Sequence, residues 1–259
     1  MRIASWNVNS VRSRAELLAQ FLDQDIPDVV ALQETKCSDR QFPASLFEHR
    51  GYQWVHHGRG SLNGVALASR RGLTEVRLGF SGKAHPPFDE CRLIAGTIDG
   101  VRILTLYAPN GSRRKSHDWQ VKLAWFELLG NELSFELAEH DDVLVVGDFN
   151  VCPTPNDLYD PRKRNRNLVS DEERAALARV IELGFVDVAA AMHGADAGYT
   201  WYAFRSGQFE NDRGYRLDLA LATTELARRV EVCEPLRRWR DPEIHPSDHV
   251  PLVVEWGSI

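Results

Sequence analysis

Cysteine is scarce in this chain: four among 259 residues. Cys37, Cys91, Cys152 and Cys233 are scattered without paired spacing, which excludes the usual cysteine zinc motifs and a disulfide framework and predicts free thiols. No apolar run reaches membrane-spanning length, and no apolar leader precedes the strand-like start at Met1 to Asn7. A cytoplasmic location without a membrane partner is therefore expected. Linkers, low-complexity tracts, compositional breaks and repeats are also missing, so residues 1–259 are expected to form a single domain. Positive charge is in deficit, with 31 Lys and Arg against 37 Asp and Glu and a net charge of −6. That balance argues against a protein that coats nucleic acid nonspecifically, although it leaves room for a local basic face.

What is present is best seen at Val143-Leu144-Val145-Val146-Gly147-Asp148-Phe149-Asn150. Four aliphatic residues without a polar face predict a strand buried on both sides of a sheet. Asp148 and Asn150 then stand at its C-terminal end, the edge where ligands gather in α/β sheets. Alternation along an extended chain would turn both to one side and Phe149 into packing. The plainer alternative is a turn in which Asp and Asn side chains bond the local backbone.

The remaining chain repeats this layout. Ile3 to Val8 reads as a strand, Ser10 to Asp25 as a helix with Val11, Leu17, Leu18, Phe21 and Leu22 in one stripe, and Asp28 to Glu34 as a second buried strand. If the two strands are parallel, Asn7 and Glu34 reach the same edge. Shorter runs at Tyr52 to His57, Gly64 to Ser69, Leu73 to Leu78, Arg92 to Ile98 and Val101 to Ala108 look antiparallel, with Asp99-Gly100 as a hairpin turn. An amphipathic helix is predicted from about Trp119 to His140 and another near Asp171 to Leu183. Further strands are predicted at Leu217 to Ala222 and Val250 to Trp256. The pattern predicts two sheets with helices outside them.

Strand termini collect Asn7, Glu34, Tyr107, Asp148 with Asn150, Asp218, and Asp248-His249. Singly, each is explained by a cap, a turn or an exposed acid. Gathered together, carboxylates would repel and raise one another's pKa unless a cation intervened. Oxygen ligands without a Cys/His cluster point to a hard divalent ion, Mg2+ with Mn2+ as substitute. Such an ion beside acids that activate water and donors that hold charge suits phosphate-ester hydrolysis.

The segments Trp6-Asn7-Val8-Asn9-Ser10, Leu32-Gln33-Glu34-Thr35-Lys36, Gly147-Asp148-Phe149-Asn150, Arg213-Gly214-Tyr215-Arg216-Leu217-Asp218 and Pro246-Ser247-Asp248-His249 resemble, in order, the exonuclease III family of apurinic/apyrimidinic endonucleases. The resemblance spans nearly the whole chain. It implies a deoxyribonuclease I-like four-layer α/β sandwich, two mixed β-sheets packed face to face with helices outside. It further implies magnesium-dependent DNA repair: cleavage 5′ to abasic sites leaving a 3′-hydroxyl, with 3′ to 5′ exonuclease and 3′-phosphatase or phosphodiesterase activities. Glu34 is implied as the main metal ligand, with Asn7 beside it and Asp248 as a further candidate. Asp148 would activate water that Asn150 orients, His249 paired with Asp218 would touch the scissile phosphate, and Tyr107 would donate to the phosphate or the leaving oxygen.

By the same resemblance, duplex DNA with abasic sites or blocked or recessed 3′ ends is the partner, bound by a monomer. An abasic nucleotide leaves the helix more cheaply than a stacked base, and Trp201, Tyr215 and Leu217 would wall its pocket. Asn110 matches a phosphate-binding position, while Arg113 and Arg205 match positions that enter the grooves. Basic stretches at Arg113-Arg114-Lys115 and at Arg162-Lys163-Arg164 with Arg166 could meet backbone phosphates. Two other readings compete: the same hydrolytic centre acting on lipid headgroups, which would want apolar membrane-inserting loops, and a catalytically silent DNA-binding scaffold, which would not need the full acid, amide and histidine set.

Overall fold

The computed structural model describes residues 1–82, 88, 90–163, 166–205, 207–240 and 245–257; Arg164 of the second basic stretch lies outside them, and the Lys163 side chain is not described. Chain order runs β1 (Arg2–Asn7), α1 (Ala15–Gln24), β2 (Val29–Gln33), α2 (Ala44–Glu48), β3 (Gln53–His57), β4 (Val65–Ser69), β5 (Thr74–Leu78), β6 (Leu93–Ile98) and β7 (Val101–Tyr107). It continues with α3 (His117–Glu139), β8 (Val143–Asp148), α4 (Asp171–Ile181), β9 (Phe185–Asp187), α5 (Val188–His193), β10 (Asp218–Thr223), α6 (Thr224–Arg229), β11 (Val230–Pro235) and β12 (Leu252–Trp256). The strands form two six-stranded sheets, ordered β11-β12-β1-β2-β4-β3 and β5-β6-β7-β8-β10-β9.

Three apolar clusters explain the stacking. Ile3, Val29, Ala31, Val65 and Leu67 of the first sheet meet Ile94, Ile103, Leu144 and Val146 of the second. On the far face of the first sheet, Ala4, Trp6, Val30 and Leu32 pack on Leu17, Leu18, Phe21 and Leu22 of α1. Beyond the second sheet, Leu104, Leu106, Val143 and Val145 pack on Trp125, Phe126, Leu129 and Leu133 of α3 and on Ala176, Leu177 and Val180 of α4. Alternate residues of β8 thus enter different clusters, which is why its aliphatic run carries no polar face. The result is a helix–sheet–sheet–helix sandwich, as the sequence predicts.

Each sheet holds one parallel pair near its centre, β1 with β2 and β7 with β8. Parallel neighbours end on the same side, so Asn7 and the segment after Gln33 emerge together, as do Tyr107 and Asp148. Antiparallel β10 starts where β8 ends, with Asp218 opposite Asp148. Likewise β12 starts beside the end of β1, Leu252 facing Ser5. A buried polar tie joins the sheets just below this rim: Gln33 Nε2 donates to Ser5 Oγ at 3.1 Å and to Thr105 Oγ1 at 3.0 Å.

Two expectations change in detail. The first helix begins at Ala15 rather than near Ser10, because Asn9 and Ser10 take positive φ and the Arg14 guanidinium donates to the Asn9 carbonyl, holding a turn there. The last strand begins at Leu252 rather than Val250; Val250 N–H bonds the Thr200 carbonyl, outside the sheet ladder. The Asp99-Gly100 hairpin is as expected, both residues having φ > 0 as a two-residue type I′ turn requires.

Gly147 sets how closely β7 and β8 approach beneath Asp148. Its φ is +144°, and a Cβ there would fall 2.0 Å from the Leu106 carbonyl oxygen, inside a rigid ladder. Gly147→Ala is expected to cost at least about 2 kcal/mol in urea unfolding. A loss below about 0.5 kcal/mol, the range of inert surface changes, would show that the strands can separate without penalty.

Candidate active site

The rim gathers side chains from both sheets. Asn7 Nδ2 donates to Glu34 Oε1 at 2.8 Å and to Asp148 Oδ2 at 2.9 Å, so one amide bridges two acids on different sheets. Its own oxygen accepts the Asn9 N–H at 3.0 Å. Glu34 has a φ of +50° just past β2, a bend that turns it out of the ladder and over the rim. Glu34, Asp148 and His249 offer ligand atoms all within 4.8 Å of one another.

Asp148 and Asn150 satisfy both ideas raised by their spacing. The Asp148 carboxylate caps the Asn150 N–H at 2.8 Å and Asn150 has a φ of +52°, which is a local turn. Yet the Asn150 amide still reaches the shared space, 3.4 Å from Asp148 Oδ2, while donating to the Ala108 carbonyl at 2.9 Å. Phe149 is buried in the helix-side core. Asn110 joins this group, donating to Asn150 Oδ1 at 3.2 Å.

His249 lies between two acids. Its Nδ1 is 2.7 Å from Asp218 Oδ2 and its Nε2 is 3.6 Å from Asp148 Oδ2. Burial opposes charge on the ring, yet Asp218 and Asp148 outweigh burial and lift the imidazole to about 10. In its protonated form the ring donates hydrogen bonds from both nitrogens. Burial raises Asp148 to about 7, opposed by His249 and the Asn7 amide and reinforced by Asp218 and Glu34. Glu34 behaves oppositely: burial would raise it, but Asn7, Lys36 and His249 together hold it below the ordinary carboxylate value. Burial, with the Glu34 and Asp148 charges, pushes the Tyr107 phenol far above its usual range and keeps it protonated.

Asp248 is engaged on both oxygens. Oδ1 accepts from Asn9 Nδ2 at 3.0 Å and Oδ2 from the Trp201 indole at 2.9 Å. Trp201 and Tyr215 lie 5.3 Å apart at a tilt of 32° and are half-buried, whereas Leu217 is buried beneath them with Cys152, Leu158 and Val169. Arg113 and Arg205 are exposed. Within the basic stretches, Arg114 pairs with Glu172 and Arg162 with Asp160, so their charge is partly spent internally. The four cysteines are buried and form no disulfide. No helix among the described residues is long and apolar enough to cross a membrane.

Several contributors were not singled out by pattern reading. Lys36 pairs with Glu34 at 2.7 Å and donates to Asn9. Ser247 Oγ donates to the Asn7 carbonyl, and Thr200 Oγ1 accepts the Leu217 and Asp218 N–H groups. Lys122 is fully buried, donating to the Asn150 carbonyl at 2.7 Å, to the Asn110 carbonyl at 3.3 Å and to Glu173. It ties together the two loops that carry Asn110 and Asn150. Its trace in the sequence is a lone lysine between Trp119 and Trp125-Phe126 on an apolar stripe, with Ser170-Asp171-Glu172-Glu173 reading as a capping box.

Two oxygen acids close together, one kept ionised and spaced by an amide, make a donor set that fits a hard divalent cation better than a soft one. Beside it stand a protonated imidazole and a protonated phenol. A sequence pattern describing the endonuclease/exonuclease/phosphatase family matches residues 4–249. Exodeoxyribonuclease III of Haemophilus influenzae is 29% identical over 272 aligned positions, covering 99% of this chain and 100% of that protein. Among solved structures, the 3′-5′ exonuclease NExo from Neisseria meningitidis is 32% identical with a TM-score of 0.95, and an AP endonuclease from Archaeoglobus fulgidus is 36% identical with a TM-score of 0.94; both align over 100% of each chain. A further structure of the Neisseria protein is described as a 3′ phosphatase bound to a product DNA hairpin.

Lys122→Met would leave Glu173 charged in the core and is expected to cost about 3 kcal/mol or more. Lys122→Met with Glu173→Gln removes the stranded charge and should recover part of that loss in denaturant unfolding. A double variant no more stable than the single one would show that the ion pair is not what holds these loops.

Proposed function

Because the chain belongs to the endonuclease/exonuclease/phosphatase family and is a phosphodiester-hydrolysing enzyme of the exonuclease III type, we propose that it is a magnesium-dependent DNA repair nuclease acting as one catalytic domain over residues 1–259. In this reading it cuts the phosphodiester 5′ to an abasic site in duplex DNA and leaves a 3′-hydroxyl. Exonuclease action from 3′ ends and removal of 3′-phosphates would use the same centre. The carrying observation is the convergence of Glu34, Asp148 and His249 from three distant stretches onto one rim, within 4.8 Å.

A bound Mg2+ would neutralise phosphate charge and polarise the phosphorus–oxygen bonds, with Mn2+ able to replace it. Glu34 would be its principal ligand, since its carboxylate is held ionised. Asn7 would share the ion by turning its amide oxygen toward Glu34, and Asp248 would support both through Asn9. Asp148 has a pKa near neutrality, where a carboxylate can take a proton from water efficiently. The water oxygen then bonds to phosphorus as the bond from phosphorus to the 3′ oxygen breaks. Asn150, fixed by Ala108 and Lys122, orients that water. His249, kept cationic by Asp218, donates to a phosphate oxygen throughout and need not release its proton. Tyr107, protonated beside two carboxylates, donates to the phosphate or to the departing 3′ oxygen.

Substrate would be held at the rim by groups around this centre. Asn110 faces the phosphate path from the Lys122-braced loop. Trp201 and Tyr215, packed together with buried Leu217, would wall the apolar hollow that takes a sugar without a base. Arg113 and Arg205, both exposed, would enter the grooves beside the lesion. Such a protein would act as a monomer on duplex DNA in the cytoplasm.

Asp148→Asn is expected to reduce cleavage of an abasic duplex by about 10³-fold, the scale of a general base, while DNA affinity measured by anisotropy changes little. Turnover within tenfold of the parent would remove Asp148 from that role. A panel of labelled duplexes bearing an abasic analogue, a recessed 3′ end or a 3′-phosphate should all lose cleavage with chelator and regain it with Mg2+. Cleavage that persists in chelator would overturn the metal assignment.

A further inference from the structure

Beside the rim, past Trp201, lies a cavity of about 450 Å³ whose lining includes Arg14, Phe204, Arg205, Phe209, Arg240 and His245. None of Trp201, Tyr215 and Leu217 lines it, so it is separate from the hollow assigned above to the abasic sugar. Its volume falls in the range of small-ligand pockets, roughly 300–1,000 Å³. Arg240 is its unusual member. It is 5% exposed, its Nε has no hydrogen-bond partner among the described residues, and its single side-chain hydrogen bond there is a long one, 3.4 Å to the Tyr202 carbonyl. Among the described residues no carboxylate hydrogen-bonds this guanidinium; Asp248 and Glu210 favour its charge only through space, and burial works against it.

The guanidinium lies over the Phe204 ring at 4.6 Å and near Phe209 at 5.5 Å. Phe204 itself is 59% exposed, an aromatic face open to solvent beside a buried cation. Arg14 adds a second guanidinium, donating to the Asn9 and Pro246 carbonyls and so fastening the cavity to the loops that carry Asn9 and Asp248-His249. Exposed Glu210 is the one carboxylate on the described lining, against Arg14, Arg205 and Arg240. The lining therefore offers cationic donors beside a largely exposed aromatic ring that already carries Arg240 on one side.

We infer that this cavity is a binding site for a nucleoside phosphate, in which Arg240 and Arg14 receive the phosphate and Phe204 stacks on the base. The assignment rests on the DNA-nuclease reading above for its source, which is either a nucleotide of the bound strand flanking the reacting phosphate or a mononucleotide released by exonuclease action. Guanidinium donors suit phosphate oxygens, and stacking on an aromatic ring is indifferent to base identity. A site of this kind would hold DNA without reading sequence.

The test uses Arg240→Met and Phe204→Ala, the latter at an exposed position that the fold does not need. Binding of a labelled abasic duplex is measured by anisotropy in the Asp148→Asn background over a range of salt, and cleavage is measured with Asp148 intact. For a strand nucleotide, each variant should weaken duplex binding roughly tenfold, with the loss in KM rather than kcat. Arg240→Met should also flatten the log affinity against log salt slope by about one, while Phe204→Ala leaves that slope alone. For a released mononucleotide, duplex binding should hold, while inhibition of cleavage by thymidine 5′-monophosphate is lost in both variants. Unchanged duplex affinity, salt slope and mononucleotide inhibition would overturn the site, and Phe204→Ala alone decides should Arg240→Met not fold. Should the parent fail to cut the abasic duplex at all, the nuclease reading falls, while thymidine 5′-monophosphate binding still judges the cavity.

Discussion

One amide holds this rim together. Glu34 and Asp148 are anionic groups brought from different sheets into a space too small for two uncompensated charges, and Asn7 donates to both. Repulsion is relieved further by Lys36 on the Glu34 side and by the His249 cation on the Asp148 side. The two acids are consequently unlike. Glu34 is held ionised, whereas burial and neighbouring acids bring Asp148 up toward neutrality. Pairs of carboxylates whose environments separate their proton affinities are the usual basis for dividing ligand and base roles.

The sandwich exists in the form that makes this meeting possible. A parallel pair in the middle of each sheet sends consecutive strand ends to one side, and the antiparallel neighbours β10 and β12 begin where those strands finish. Facing the sheets across a dry core then brings the two rims together. Gln33, bonded to Ser5 and Thr105, registers one sheet against the other directly under the acids. Behind the rim, Lys122 performs the same service for the loops of Asn110 and Asn150. Rigid support of this kind lets a centre built from distant stretches keep fixed distances.

Much of this was readable in advance, and for identifiable reasons. The run Val143 to Val146 declared a strand buried on both faces because its alternate residues enter different cores. Helical spacing located α1, α3 and α4, and the Asp99-Gly100 turn located a hairpin. Less legible were short elements such as β9, β11, α5 and α6, whose few residues carry too little periodicity to register. The start of α1 was misplaced because the Asn9 and Ser10 backbone is bent by contacts with Arg14, which no local propensity encodes. Lys122 was not singled out, since its partners lie on α4 and on two loops far from it in the chain.

By itself, then, the sequence determined which residue types stand at strand ends, which segments are buried, and through its ordered motifs which family the chain joins. These are local or pattern properties, written in spacing and composition. Only the tertiary structure decided that Asn7 spans two acids, that both Asp248 oxygens are taken by Asn9 and Trp201, that His249 is charged between Asp218 and Asp148, and that Arg240 is buried beside an open phenyl ring. Charge state and hydrogen-bond partnership depend on distance and dielectric between groups far apart in the chain, and those quantities come into being only when the sheets are packed.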